Sequence, residues 1–253
     1  MARKIKNQSI NKTEKVFIEK FQSLCYTRSS WEVWADFITA TACAIANSID
    51  KESEQFEKRE KEYAQCIERL GGLQTPAEML GIITMALEEN PEQDFLGGLF
   101  MKLELGNHWK GQFFTPYCVC KTMAAINSYE LEETIQNKGW VSVNDCACGA
   151  GATLIAMANT LREHDVNYQN HALFVAQDID RVAGLMCYIQ LSLLGCPGYV
   201  VIADSLTNPI VGSVLRPAQN ENQEFWFTPM YASDVWHYRR LYNMMDSILF
   251  GRN

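Results

Sequence analysis

The sequence predicts an α/β protein in which a wholly helical region precedes a parallel sheet with crossover helices. Three observations carry that prediction. Helical periodicity fills residues from about 10 to 105. Near residue 110 the pattern changes to short, β-rich apolar runs that alternate with amphipathic segments. The first of these runs leads into a glycine-bearing turn, Asp145-Cys146-Ala147-Cys148-Gly149-Ala150-Gly151, with a helical pattern after it. Strand–helix alternation of this kind builds right-handed crossovers between parallel strands. The change of pattern divides the chain into a helical region, 1–107, and a sheet-bearing domain, 108–253.

In the helical region, Trp31, Trp34, Ile38 and Ala42 recur at helical spacing and predict one buried stripe. Residues 51–70 are heavily charged, with Phe56, Tyr63, Ile67 and Leu70 on an inner face and Gly71-Gly72 as the stop. Thr75-Pro76-Ala77-Glu78 has the form of a capping box with Pro at the first helical position. The helix it opens should end before Pro91.

In the second region, Trp140 to Cys146 reads as a strand, Ala152 to Glu163 as a helix and Ala172 to Asp178 as a strand. Asp180 to Leu194 reads as a helix, and Tyr199 to Asp204 and Phe225 to Phe227 as strands. Thr207 to Glu224, rich in Pro, Asn and Gln, reads as loop. Ser233 is placed to cap a last helix to about Leu249.

Composition excludes several classes. The chain is 47% hydrophobic with 15 Gly and 7 Pro, a globular composition. No apolar run is long enough to span a bilayer. The basic start, Met1-Ala2-Arg3-Lys4-Ile5-Lys6, has no apolar run behind it and is no secretory signal. The expected location is the cytoplasm, with no membrane partner. Nine cysteines, an odd number, predict buried thiols rather than a disulfide framework. Cys118-x-Cys120 and Cys146-x-Cys148 have the wrong spacing for common zinc sites, so no metal is expected. The net charge of −8 argues against a chain that grips DNA unaided.

Polar and glycine residues fall at the ends of three predicted strands. The first carries the Asp145 to Gly151 turn. The second ends in Gln177-Asp178-Ile179-Asp180, where an acid in a Rossmann-type sheet binds ribose hydroxyls. The third ends in Ala203-Asp204-Ser205-Leu206. A parallel sheet brings these ends to one edge, where such folds bind ligands. A dinucleotide-binding oxidoreductase is disfavoured, because Leu154 occupies the last position of G-x-G-x-x-G.

Gly111-Gln112-Phe113-Phe114-Thr115-Pro116, followed by a helix, resembles the segment that precedes the sheet in N6-adenine DNA methyltransferases. The Asp145 to Gly151 run resembles the first S-adenosylmethionine (SAM) motif of that family. Phe174 to Gly195 resembles the second and Asp204 the third. The similarity spans roughly residues 95 to 235 and is greatest to the modification subunit of type I restriction-modification systems. It implies a Rossmann-like SAM-dependent methyltransferase sheet with SAM as cofactor. Phe114, Thr115 and Pro116 would line the methionine end. Asp145, Cys148, Gly149 and Gly151 would surround the amino-acid portion. Asp178 would bind the ribose, Ile179 would pack on adenine, and Asp204 would accept from the adenine amine.

The chain departs from the family at the catalytic motif, which in the family is Asn-Pro-Pro followed by Phe or Tyr, since no Pro-Pro occurs anywhere in it. Asn208-Pro209 follows the third strand too soon and is assigned to the loop. Thr228-Pro229-Met230-Tyr231 is the better-placed match, with Thr228 and the Pro229 carbonyl as acceptors for the target amine and Tyr231 stacking on a flipped base. The chain also lacks a DNA-recognition domain and the later strands of a complete sheet. The sequence therefore supports a reduced N6-adenine DNA methyltransferase that needs help from a partner on DNA, either a specificity-type subunit or a second copy. The alternative is a SAM-binding but catalytically silent subunit or regulator. An open sheet edge predicts self-association or cover by the terminal helix bearing Trp236, Tyr242, Met245 and Leu249.

Overall fold

The computed structural model describes residues 11–51, 53–105 and 114–250. Helices α1 (Lys12–Leu24), α2 (Ser30–Ile49), α3 (Glu54–Arg69), α4 (Gln74–Glu89) and α5 (Phe95–Lys102) form the helical region. Helices α1 and α2 each open on a reciprocal capping box, Asn11 with Glu14 and Ser29 with Glu32. Each box satisfies two N–H groups that the first turn leaves without helical acceptors. Trp34, Ile38 and Ala42 are fully buried on α2, with Trp31 half-buried beside them. Helix α3 stops where the Gly72 N–H donates back to the Ile67 carbonyl at 3.0 Å. The start of α4 differs from expectation. Its cap position is Leu73, without a side-chain cap, and Thr75 and Pro76 lie inside the first turn. A first-turn N–H has no intrahelical acceptor, so Pro at the third position is tolerated as well as at the first. Glu78 pairs with Lys20 of α1 instead of closing a box.

Helix α6 (Tyr117–Lys138) leads into strand β1 (Val141–Asp145). The chain continues through α7 (Ala152–Glu163), the short α8 (Tyr168–His171), β2 (Ala172–Asp178), α9 (Arg181–Leu193) and β3 (Gly198–Ile202). Strands β4 (Val211–Ser213) and β5 (Arg216–Ala218) form a small separate hairpin within the stretch expected to be loop. Strand β6 (Glu224–Phe227) and helix α10 (Asp234–Phe250) complete the described chain. Ser233 precedes α10 and accepts the His237 N–H through its carbonyl, but its hydroxyl makes no capping bond.

The main sheet has the order β1-β2-β3-β6. The first three strands are parallel, with Val141 opposite Ala172 and Phe174 opposite Gly198. The expectation of an all-parallel sheet fails at the fourth strand. Strand β6 is antiparallel to β3, with Tyr199 opposite Phe227 and Ile202 opposite Glu224. The cause lies in the connection. A parallel return needs a crossover, usually a helix, to carry the chain back to the starting edge. Here β3 is followed by a polar loop and a hairpin, so the chain re-enters the sheet from the edge where it left.

One apolar core runs through both regions. It joins Phe17, Trp34, Phe37 and Leu99 of the helices to Ile155, Phe174, Met186 and Val200 of the sheet layer. Helix α9 packs on α2, and the Gln190 side chain on α9 accepts the Leu96 N–H of α5 at 3.0 Å. The change of sequence pattern near residue 107 therefore divides two kinds of periodicity, not two cores. No described helix is long and apolar enough to cross a membrane.

Candidate active site

The turn after β1 is built by two glycines that no other residue could replace without rearrangement. Gly149 has φ +54° and Gly151 φ +95°, a region that L side chains rarely adopt. A Cβ on Gly149 would lie 2.9 Å from the Phe114 ring, and one on Gly151 would lie 2.8 Å from Cys187 Sγ. Asp145 fixes the turn from its start. One carboxylate oxygen accepts the Ala147 N–H at 3.0 Å and the other accepts the Thr153 hydroxyl. The Cys148 N–H donates to the Gln177 carbonyl of β2 at 3.0 Å. Helix α7 then begins with no side-chain cap, which leaves its N-terminus available to an anionic group.

The next strand end supplies Asp178. Its two oxygens accept the Gly149 and Asp180 N–H groups, each at 2.8 Å. Burial pushes its carboxyl above the ordinary value, and these two bonds offset part of that rise. Ile179, beside it, is 70% exposed, so its apolar surface is free to meet a ring. The Ala203 N–H donates to the Asp178 carbonyl at 3.0 Å, which places Asp204 on the same edge. Asp204 accepts the Leu206 N–H at 2.9 Å, and its bonds to Leu206 and Thr207 hold its carboxyl below the ordinary value.

A cavity of about 90 Å³ opens at this edge, lined by Phe114, Thr115, Asp145, Cys148 and Gly149 among the residues expected there. Pro116 stands at the cap of α6, Gly151 behind the turn, and Asp178 beneath the Gly149 N–H; none of these three lines the cavity, nor do Ile179 and Asp204. Gly111, Gln112 and Phe113 lie outside the described residues. Phe114 packs on Phe100 of α5 at 5.1 Å, and Phe100 packs edge-on to both Trp31 and Trp34 at 6.1 Å.

Sequence reasoning missed Asp94, which also lines the cavity. Asp94 caps α5, its Oδ1 accepting the Gly97 N–H at 2.8 Å and the Gln190 side-chain N–H at 2.8 Å. Gln190 donates as well to the Ala150 carbonyl of the glycine turn at 2.8 Å. The available signal was an Asp three residues before Gly97 at the head of an apolar run, a helix-cap pattern.

The expected catalytic trio is not brought to this site. Thr228 is fully buried beside Gly198, the first residue of β3, and so stands at the opposite edge of the sheet. Its hydroxyl accepts the Gly198 N–H at 3.0 Å and donates to the Cys196 carbonyl at 2.7 Å. Pro229 opens a short 3₁₀ turn, Pro229–Ala232. The Tyr231 hydroxyl donates to the Leu215 carbonyl at 2.7 Å, and its ring lies between Phe227 and the Arg240 guanidinium. Because β6 runs antiparallel, the end of the fourth strand faces away from the ends of the first three. The lack of helical periodicity between Thr207 and Glu224 was the sequence signal for that reversal.

The site edge carries other polar groups. A second cavity, of about 220 Å³, lies on the sheet face beyond Cys146 and is lined by Asn144, Gln177, Tyr199, Ser205 and Pro209, among others. Asn208-Pro209, read from sequence as loop, is on this edge, with the Asn208 N–H donating to the Asp204 carbonyl at 2.7 Å.

The family model described as N-6 DNA methylase matches residues 102–243, more than half of the chain. No curated protein matches it. Among solved structures, a class I S-adenosylmethionine-dependent methyltransferase from Listeria monocytogenes is 18% identical, with 91% of this chain and 79% of that chain covered and a TM-score of 0.41.

Proposed function

Since the chain belongs to the N-6 DNA methylase family, we propose that it transfers a methyl group from S-adenosylmethionine to the N6 amine of adenine in DNA, as a modification component assisted by a partner chain. The protein is a SAM-dependent methyltransferase by family, and SAM is its cofactor. The residues present fit that group. The glycine turn leaves space where a Cβ on Gly149 would collide with Phe114. The uncapped start of α7 suits a carboxylate, and Asp178 keeps acceptor capacity beyond its two N–H bonds. When bound, the cofactor supplies an electrophilic sulfonium methyl. The chain's own part is to hold the amine in line with that methyl and to accept hydrogen bonds as positive charge develops on nitrogen.

The observation that carries this reading is the meeting of Phe114, Thr115, Asp145, Cys148 and Gly149 around one cavity, with Asp178 bonded to the same turn. This reading puts the target amine in the second cavity of the same edge. There the Asn144 carboxamide, which makes no hydrogen bond among the described residues, is the acceptor nearest in sequence to Asp145. The charge of −8 supports a reading in which a partner supplies the grip on DNA, and the same proposal sets the chain in a restriction-modification system of the cytoplasm. A specificity-type subunit or a second copy of the chain would fill that role. A second reading, a SAM-binding but catalytically silent subunit, is favoured by the burial of Thr228 at the far edge. The two readings separate in a tritiated methyl-transfer assay on duplex DNA, with the chain alone and with its associated subunits. Label in adenine N6 that is lost in Asn144→Ala with SAM affinity retained supports transfer. Tight SAM binding without label under any condition leaves the silent reading.

A further inference from the structure

The cavity under the glycine turn holds an acid that the cofactor motifs do not include. Asp94 reaches it from the cap of α5, an element of the helical region, while the rest of the lining comes from the segment 114–120, the turn and the first two residues of α7. Its Oδ1 is fully used by the Gly97 and Gln190 N–H groups. Its Oδ2 has no hydrogen-bond partner among the described residues. Asp145, the other acid in the lining, has both oxygens bonded, one to the Ala147 N–H of the turn and one to the Thr153 hydroxyl of α7. The cavity is thus polarised. The uncapped N-terminus of α7 is its positive side, and the free Asp94 oxygen is its negative one.

A zwitterion matches that polarity. We propose that Asp94 is a cofactor-binding residue whose carboxylate pairs with the α-ammonium of the methionine moiety, opposite an α-carboxylate held at the start of α7. This rests on the SAM reading of the site. Enclosure in protein pushes the Asp94 carboxyl upward from its ordinary value, and a cation beside it reverses the effect. The other titratable groups facing Asp94 are Asp145 at the end of β1, Cys120 of α6, Cys148 of the turn and Cys187 of α9. Burial pushes the Cys120 thiol up to about 11, and the hydrogen-bonded thiols of Cys148 and Cys187 are raised as well, so none of the three ionises at neutral pH.

Calorimetric titration of the full chain with three ligands tests this. SAM and S-adenosylhomocysteine both carry the α-ammonium, whereas 5′-methylthioadenosine keeps the nucleoside and sulfur but has no amino acid. Asp94→Asn preserves the cap on α5. It is expected to weaken SAM and S-adenosylhomocysteine alike by about tenfold to a hundredfold, and to leave methylthioadenosine within about twofold. Loss confined to SAM would assign Asp94 to the sulfonium and overturn the proposal. An equal loss for all three ligands, or no loss, overturns it too. If the variant does not fold, the parent decides. The affinity for S-adenosylhomocysteine relative to methylthioadenosine should fall as pH is lowered and Asp94 takes up a proton, while the ligand ammonium stays protonated. Asp178 faces the nucleoside of both ligands and cancels in that ratio. A flat ratio sinks the assignment. A parent that binds none of the three removes the cofactor reading itself, which is a different outcome from a parent that binds and a variant that binds equally.

Discussion

Asp178 spends one hydrogen bond per oxygen on backbone N–H groups and still has lone pairs to offer ribose hydroxyls. Asp178→Ala is therefore expected to weaken SAM by about 1.5–3 kcal/mol, the range for hydrogen bonds to a charged group. Calorimetry showing unchanged affinity would move the ribose elsewhere. Thr228 gives the opposite expectation. Thr228→Asn, which restores the family's residue type, should not raise methyl transfer. It puts a larger amide where a buried hydroxyl bridges Gly198 and Cys196, and should cost about 1–3 kcal/mol of stability, read from the urea midpoint. The two positions show what was legible residue by residue. Asp145, Gly149 and Asp178 could be read because each belongs to a local strand-to-turn pattern. Asp94 could not, because only the packing of α5 against the turn brings it in.

At the scale of elements, helices and parallel strands were legible because each is set by its own periodicity. Helix α7 and strand β2 have the expected bounds. The direction of β6 was not legible from Phe225-Trp226-Phe227, since an apolar run reads the same either way along the sheet. Direction is a property of the connection, and that one misreading displaced all three expected catalytic residues. Between elements, Asp36 of α2 clasps Arg28 and Arg69, each at 2.6 Å. Burial would raise its carboxyl, but the two guanidinium groups outweigh it and hold the carboxyl below its ordinary 3.8. The clasp therefore stabilises the fold above that value and loses its contribution as pH falls through the lowered one. At pH 7, Asp36→Asn should cost about 1.5–3 kcal/mol, nearer the lower figure because Arg69 is half exposed. The gap between parent and variant in urea melts should close below about pH 4. A gap that is constant with pH would place its origin in packing.

At the scale of the molecule, the helices and the sheet share one core, so neither buries its apolar face without the other. Unfolding followed by far-ultraviolet dichroism and by cofactor release should give one coincident transition. Two resolved transitions would show that the helical region folds alone. The terminal helix only partly meets its expected role. Trp236 is buried against Trp140, but Tyr242 is 73% and Leu249 67% exposed. The distal part of α10 thus remains open to a further surface.

The aromatic run from the helical core to the cavity has an optical consequence. Trp31 and Trp34 both touch Phe100, Phe100 touches Phe114, and Phe114 walls the space beside Gly149. Occupancy of that space presses on the last ring of a chain that ends in two indoles. Titration with S-adenosylhomocysteine should change the intrinsic emission on excitation near the indole band, and the paired Trp31→Phe and Trp34→Phe changes should remove most of the response. If the doubly substituted protein responds in full, the signal comes from another tryptophan. Otherwise the protein reports the filling of its own site without a label, through fluorophores that never contact the ligand.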